Sequence, residues 1–172
     1  NQAPHQLDLI QWFMNADIAE LYGVCNNINQ PYIEVEATAV AILKFKKGGI
    51  ANIVVSNSQK PGIYAKVHVH GDNGASVGVQ TDGGSMFVAA MDSIVEPPIN
   101  DIWTIPGEEY MLAQWKKEDE DFFKTHDPIG HYLYLQDLDF IQSIVEDRAP
   151  MVTGVEGRKT VEIFTALYKS SL

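Results

Sequence analysis

Two apolar, β-branched runs joined by a glycine turn constrain this chain most. Thr38–Lys46 leads into Lys47-Gly-Gly49, and Ile50–Ser56 follows at once. Runs of that length and composition around a glycine turn predict a β-hairpin. Tyr64–His70 then alternates strictly, with Tyr64, Lys66, His68 and His70 on one face and Ala65, Val67 and Val69 on the other. Gly71-Asp-Asn-Gly74 supplies another turn. Ala75–Gln80 and Ser85–Ala90 are expected to pair around Asp82-Gly-Gly84, and Ile102–Ile105 reads as a further short strand. Strands this closely spaced pair antiparallel, because a parallel pair needs a long crossover.

Helical periodicity flanks these strands. Leu7, Ile10, Phe13 and Met14 predict an amphipathic helix over 4–14, with Pro4 in its first turn, where a missing N–H costs nothing. Residues 18–28 read as a strand with an Asn-rich exit, and 29–32 as a loop. A helix over 108–124 is expected, with Glu108 and Glu109 in its first turn, followed by a loop over 126–131. Leu133–Glu146 predicts a helix with Leu135, Leu138, Ile141, Ile144 and Val145 on one side. A last helix begins near Gly154 and carries Val161, Ile163, Phe164 and Leu167. Helix, then strands, then helices give an α+β fold with helices packed on one face of a sheet.

The chain has 172 residues, enough for one domain with its own core. It carries 12 basic and 23 acidic residues, a net charge of −11. That balance leaves no basic footprint for nucleic acid or for an anionic membrane surface. No run of 18 apolar residues exists to span a bilayer. Cys25 is the single cysteine, so no internal disulfide forms, and a reducing, cytoplasmic setting is expected. The first residue is Asn1, and helical spacing starts almost immediately, so further sequence upstream is expected.

Asn1 and His5 stand four residues apart, which puts both on one helix face. An imidazole there can exchange a proton near neutral pH, and an amide beside it can orient a hydroxyl. The pattern alone equally fits a capped helix start with a structural histidine. His68 and His70 share a strand face but lack a third ligand at motif spacing, so no metal site is expected. His126 and His131 flank a helix start, where surface or capping roles compete with function. Cys25 has no evident base partner and reads as a packed small residue. Trp12, Trp103 and Trp115 read as core or interface anchors. No Gly-x-Gly-x-x-Gly follows a strand, so no cofactor-binding residue is expected in this chain.

Asn1-Gln-Ala-Pro-His5-Gln-Leu-Asp8 resembles the opening of the second domain in the Gfo/Idh/MocA oxidoreductases, the relatives of glucose–fructose oxidoreductase and inositol dehydrogenase. Three further stretches resemble that family in order: Tyr32–Gly49, Val69–Gly74, and Asp139–Gly154 with Glu156-Gly-Arg-Lys159. The resemblance implies a large open, mostly antiparallel sheet like that of the dihydrodipicolinate-reductase-like C-terminal domain. Residues 1–172 would then form a single substrate-binding and oligomerisation domain. An N-terminal Rossmann domain, absent from this chain, would hold NAD or NADP. His5 would take the proton of a sugar, cyclitol or related polyol hydroxyl, Asn1 would bind the substrate, and His131 would face it. The open sheet face would join subunits of a homo-oligomer. The isolated chain would be inactive. Two departures from the family stand out: Asn1 replaces a frequent Asp, and the usual acidic pair reads Glu36-Ala37. A non-catalytic oligomerisation or interaction scaffold of the same fold is the competing expectation.

Overall fold

The computed structural model describes residues 3–58, 65–80, 99–128 and 130–172. The chain divides into two compact units, Asn1–Pro61 with Val152–Leu172, and Gly62–Met151.

The first unit contains α1 (Pro4–Met14), β1 (Ile18–Asn26), β2 (Thr38–Phe45), β3 (Ile50–Ser56) and the last helix of the chain, Gly154–Ser171. Helix α1 has Pro at its start, as expected, and Asn15 ends it in the left-handed region at φ 41°. Asparagine tolerates that conformation and so serves as a helix stop. The three strands pair antiparallel in the order β1-β2-β3. The β2–β3 turn closes through Phe45 N–H donating to the Gly49 carbonyl at 2.8 Å, with Gly48 at φ 103°.

One face of this sheet is the core. Leu43 and Phe45 meet Leu7 from α1 and Ile163 from the last helix, with Ile10, Met14, Leu21, Ile53 and Phe164 packed around them. The last helix opens on a capping box: Thr153 accepts from Glu156 N–H, and the Glu156 carboxylate accepts from Thr153 N–H at 2.8 Å. Its far end lies close along β1, and a side chain at Gly23 would overlap Leu167. Ser170 and Ser171 then accept the N–H groups of Gly23 and Cys25 at 2.9 and 2.8 Å, which satisfies donors on the outer edge of β1. Alternation sends the opposite set of side chains out. Tyr22 stands beside Ile42, and Val24 beside Val40 and Val54, all exposed.

The second unit contains β4 (Lys66–His70), β5 (Ser76–Gln80), β6 (Ile99–Trp103), α2 (Met111–Phe123) and α3 (Gly130–Val145); the last helix is therefore α4. Its sheet is antiparallel in the order β4-β5-β6. The expected turn at 71–74 joins β4 to β5, with Gly71 N–H donating to the Ala75 carbonyl at 2.8 Å. β4 and β6 occupy both edges of β5. The expected partner strand Ser85–Ala90 lies outside the described residues. Helix α2 packs on β6, where Trp103 and Trp115 meet edge to face at 5.9 Å.

The α+β class with antiparallel pairing is as expected, and the expected large open sheet is somewhat overstated, since the described residues form two three-stranded sheets. Strand β6 begins at Ile99, three residues before its expected start. Helix α2 starts at Met111, so Glu108 and Glu109 precede it instead of filling its first turn. Gly107, at φ 86°, turns the chain there, and Glu109 is spent accepting the Gly107 N–H at 3.1 Å. Helix α3 starts earlier than expected because Asp127 caps it: its carboxylate accepts from Gly130 N–H and its carbonyl from His131 N–H. The α3 side carrying Ile141, Ile144 and Val145 is exposed, so its periodicity marks a face that wants cover without naming what covers it.

Candidate functional site

Helix α1 presents two faces. Leu7, Ile10 and Met14 turn inward to the core. His5 and Asp8 are exposed on the other side, and His5 makes no hydrogen bond among the described residues. Asn1 lies outside the described residues. A bond between α1 and α4, from Gln11 Nε2 to Thr160 Oγ1 at 3.2 Å, fixes the helix that carries His5. Trp12 was expected as a core or interface anchor. It is 74% exposed and touches Phe13 at 5.3 Å, so it is not core.

In the same unit, Tyr168 on α4 donates to Glu36 at 2.7 Å. That bond and burial push the Tyr168 hydroxyl up to about 12, so it stays protonated and holds the carboxylate. Glu36 belongs to the Glu36-Ala37 pair noted in the sequence, and no spacing rule linked it to Tyr168. Cys25 is half-buried, and burial followed by the Glu36 charge pushes its thiol up. A raised thiol is a poor nucleophile, which agrees with the packed role expected for it.

His131 lies in the second unit, on the first turn of α3. Its ring sits edge-on to Phe122 at 5.1 Å and to His126 at 4.9 Å, with Tyr132 at 5.4 Å. His126 stacks flat on Phe122 at 4.0 Å. Its Nδ1 reaches the Phe122 carbonyl at 2.9 Å, which fixes the proton on Nδ1. Both imidazoles are therefore held by aromatic packing. His5 and His131 fall in different units, and each is placed only within its own.

His68 and His70 share one face of β4, as the alternation requires. Among the described residues, no group of three His, Cys, Asp or Glu side chains is placed to hold a metal ion. Instead, His68 Nε2 binds Asp101 at 2.8 Å, Lys66 reaches the same carboxylate at 3.4 Å, and His70 Nδ1 binds Ser76 at 2.8 Å. The register shifts between Gly78 and Val79, leaving Asp101 as the extra residue of a β-bulge, which turns its side chain toward His68. Gly78 lies between them, and a Cβ there would come within 2.5 Å of Asp101 and 2.6 Å of His68. The sequence showed the two histidines but not the carboxylate that binds His68, 33 residues away and brought in by an irregular strand.

Burial pushes the Asp101 carboxyl up, but the bonds and charges of His68 and Lys66 outweigh it, and the net shift is below the usual 3.8. A depressed carboxyl contributes stability that is fully present above its unfolded value and is lost as pH falls through the folded one. Asp101→Asn is therefore expected to unfold earlier in urea at pH 6, by about 1.5–3 kcal/mol for a charged hydrogen bond. The gap from the parent protein should narrow as pH drops below 3.8. A gap that stays constant from pH 6 to pH 3 would remove the ion cluster as its cause.

The described strands all pair antiparallel. No described helix is long and apolar enough to cross a membrane. Over 99% of its length this chain is similar to WlbA dehydrogenase of Bordetella pertussis in complex with NADH and UDP-GlcNAcA, at 22% identity, TM-score 0.71 and 44% coverage of that protein. It is similar to WlbA of Chromobacterium violaceum with the same ligands at 21% identity and TM-score 0.70, covering 99% of this chain and 42% of that one. Aldose-aldose oxidoreductase of Caulobacter crescentus, complexed with glycerol, is similar at 16% identity and TM-score 0.58, covering 98% of this chain and 43% of that one. The chain thus spans less than half the length of each. No curated protein matches it. Residues 1–77 match the family model of the GFO/IDH/MocA C-terminal domain, the family that the sequence resembles.

Proposed function

We propose that residues 1–172 are the substrate-binding and catalytic half of an NAD(P)-dependent oxidoreductase acting on a sugar, cyclitol or related polyol. The observation that carries this is the domain match over 1–77, which includes α1 and His5. Oxidising a hydroxyl requires removal of its proton as the C–H bond breaks. His5 takes that proton, while Asn1 and His131 bind the substrate. The remaining chemistry belongs to a cofactor held by an N-terminal Rossmann domain outside this chain, so the chain alone is inactive. UDP-GlcNAcA, bound by the two WlbA dehydrogenases, makes a nucleotide-linked sugar the first substrate to assay.

The exposed face of the first sheet supports a homo-oligomer. Tyr22, Val24, Val40, Ile42, Ile50 and Val54 are exposed together on that face, an apolar surface of the kind that subunits cover. The same surface supports the competing reading, a scaffold without catalysis.

Fluorescence titration of NADH and NADPH into this chain and into the product of its intact gene separates the two. Binding by the intact protein alone is the expected result. Failure of both to bind would leave the scaffold reading in its place.

A further inference from the structure

Trp12 is the largest exposed aromatic side chain of α1, and its position along the helix is informative. Turning about 100° per residue, Asp8, Leu9 and Trp12 fall within roughly 60° of the His5 direction. Asp8 is about 4.5 Å and Trp12 about 10 Å further along the axis. One stripe of the helix therefore holds a proton acceptor, a carboxylate and an indole in line, on the side away from Leu7 and Ile10. Tryptophan is seldom left this open, and at 74% exposed it takes no part in the core that anchors α1. Phe13 braces it from one side at 5.3 Å, with the two rings tilted by 52°.

We propose that Trp12 is a substrate-positioning residue that stacks on a second ring attached to the sugar whose hydroxyl meets His5. The inference rests on the reading of His5 given above. The spacing selects the ligand class. Asp8 lies close enough to His5 to accept hydrogen bonds from hydroxyls neighbouring the reacting one. Trp12 stands about two helical turns from His5, roughly 10 Å along the axis, a distance that a single pyranose ring does not span. A base or an aglycone ring does. Stacking on an indole is tolerant of ring identity, because it needs only a flat apolar face.

The shared chemistry is a ring linked to the sugar, and two sources of it are distinguished by the probes. Binding of UDP-N-acetylglucosamine, phenyl glucoside and glucose would be measured by calorimetry on the intact gene product with its cofactor, for the parent protein, Trp12→Ala and Trp12→Phe. Trp12→Ala is expected to weaken UDP-N-acetylglucosamine, alone or together with phenyl glucoside, about 10–100-fold, leave glucose unchanged, and be rescued by Trp12→Phe. Loss for the uridine compound alone assigns the ring to a nucleotide, and loss for both assigns it to any ring. With a turned-over substrate, the change should appear in KM while kcat is retained. Equal weakening of all three probes, no weakening of any, no binding of any probe, or a changed subunit assembly in Trp12→Ala would overturn the proposal; the last would give the indole to a partner chain. His5→Ala in the same assays keeps the two ideas apart. An unchanged kcat in that variant removes the reading of His5, whereas a lost kcat with an unaffected Trp12→Ala removes only the role of Trp12.

Discussion

Replacing His5 with Ala in the intact protein is expected to lower kcat/KM by roughly 10²–10⁴-fold, the range of a general acid or base. The loss should fall mainly in kcat, because the imidazole acts on a proton that moves only as the reaction proceeds. His5 is exposed on α1 and forms no hydrogen bond among the described residues, so its removal leaves packing untouched. The melting temperature should accordingly stay close to that of the parent, as for most surface substitutions. That separation makes the result readable: activity falls while the fold persists. A rate equal to that of the parent would take His5 out of the mechanism and return it to the part of a helix-start histidine.

Leu43→Ala should have the largest effect on stability. Leu43 is the one large side chain among the described residues with no exposed surface, at 0%. It sits mid-strand in β2, where α1, α4 and the sheet converge. Its truncation removes buried surface and leaves a cavity that flanking strands cannot close, at a cost of about 2–5 kcal/mol. Domains are stable by only about 5–15 kcal/mol, so much of the margin would go. Leu43→Met keeps the volume and should cost less than about 1.5 kcal/mol. Urea unfolding followed by circular dichroism gives both values. Near-equal costs would mean that this core does not hold the unit together. Because Leu7 on α1 rests on the same cluster, loosening it should also loosen the helix that aims His5.

The strands and helices were legible wherever one local rule acted alone. The Lys47–Gly49 turn set the β2–β3 hairpin, since the glycine there adopts φ 103° and the flanking runs are β-branched. Helix α1 matched its expected bounds because Pro4 and the left-handed Asn15 punctuate it. Where two local rules competed, periodicity lost. Glu108 and Glu109 suit a helix start, but Gly107 turned the chain first. His131 looked like loop until Asp127 capped α3 ahead of it.

The sequence by itself determined the α+β class, the antiparallel pairing, the inward and outward faces of α1, and the His5 spacing that points to a family. All of these depend on side-chain period and turn chemistry within about a dozen residues, and that information is local. Only the tertiary structure decided that Trp12 stays in water, that Tyr168 holds Glu36 across 132 residues, and that Asp101 meets His68 through a bulge opposite Gly78. These depend on which surfaces meet, and on a one-residue slip that redirects a side chain. No local pattern encodes either, because each is settled by the whole set of contacts at once.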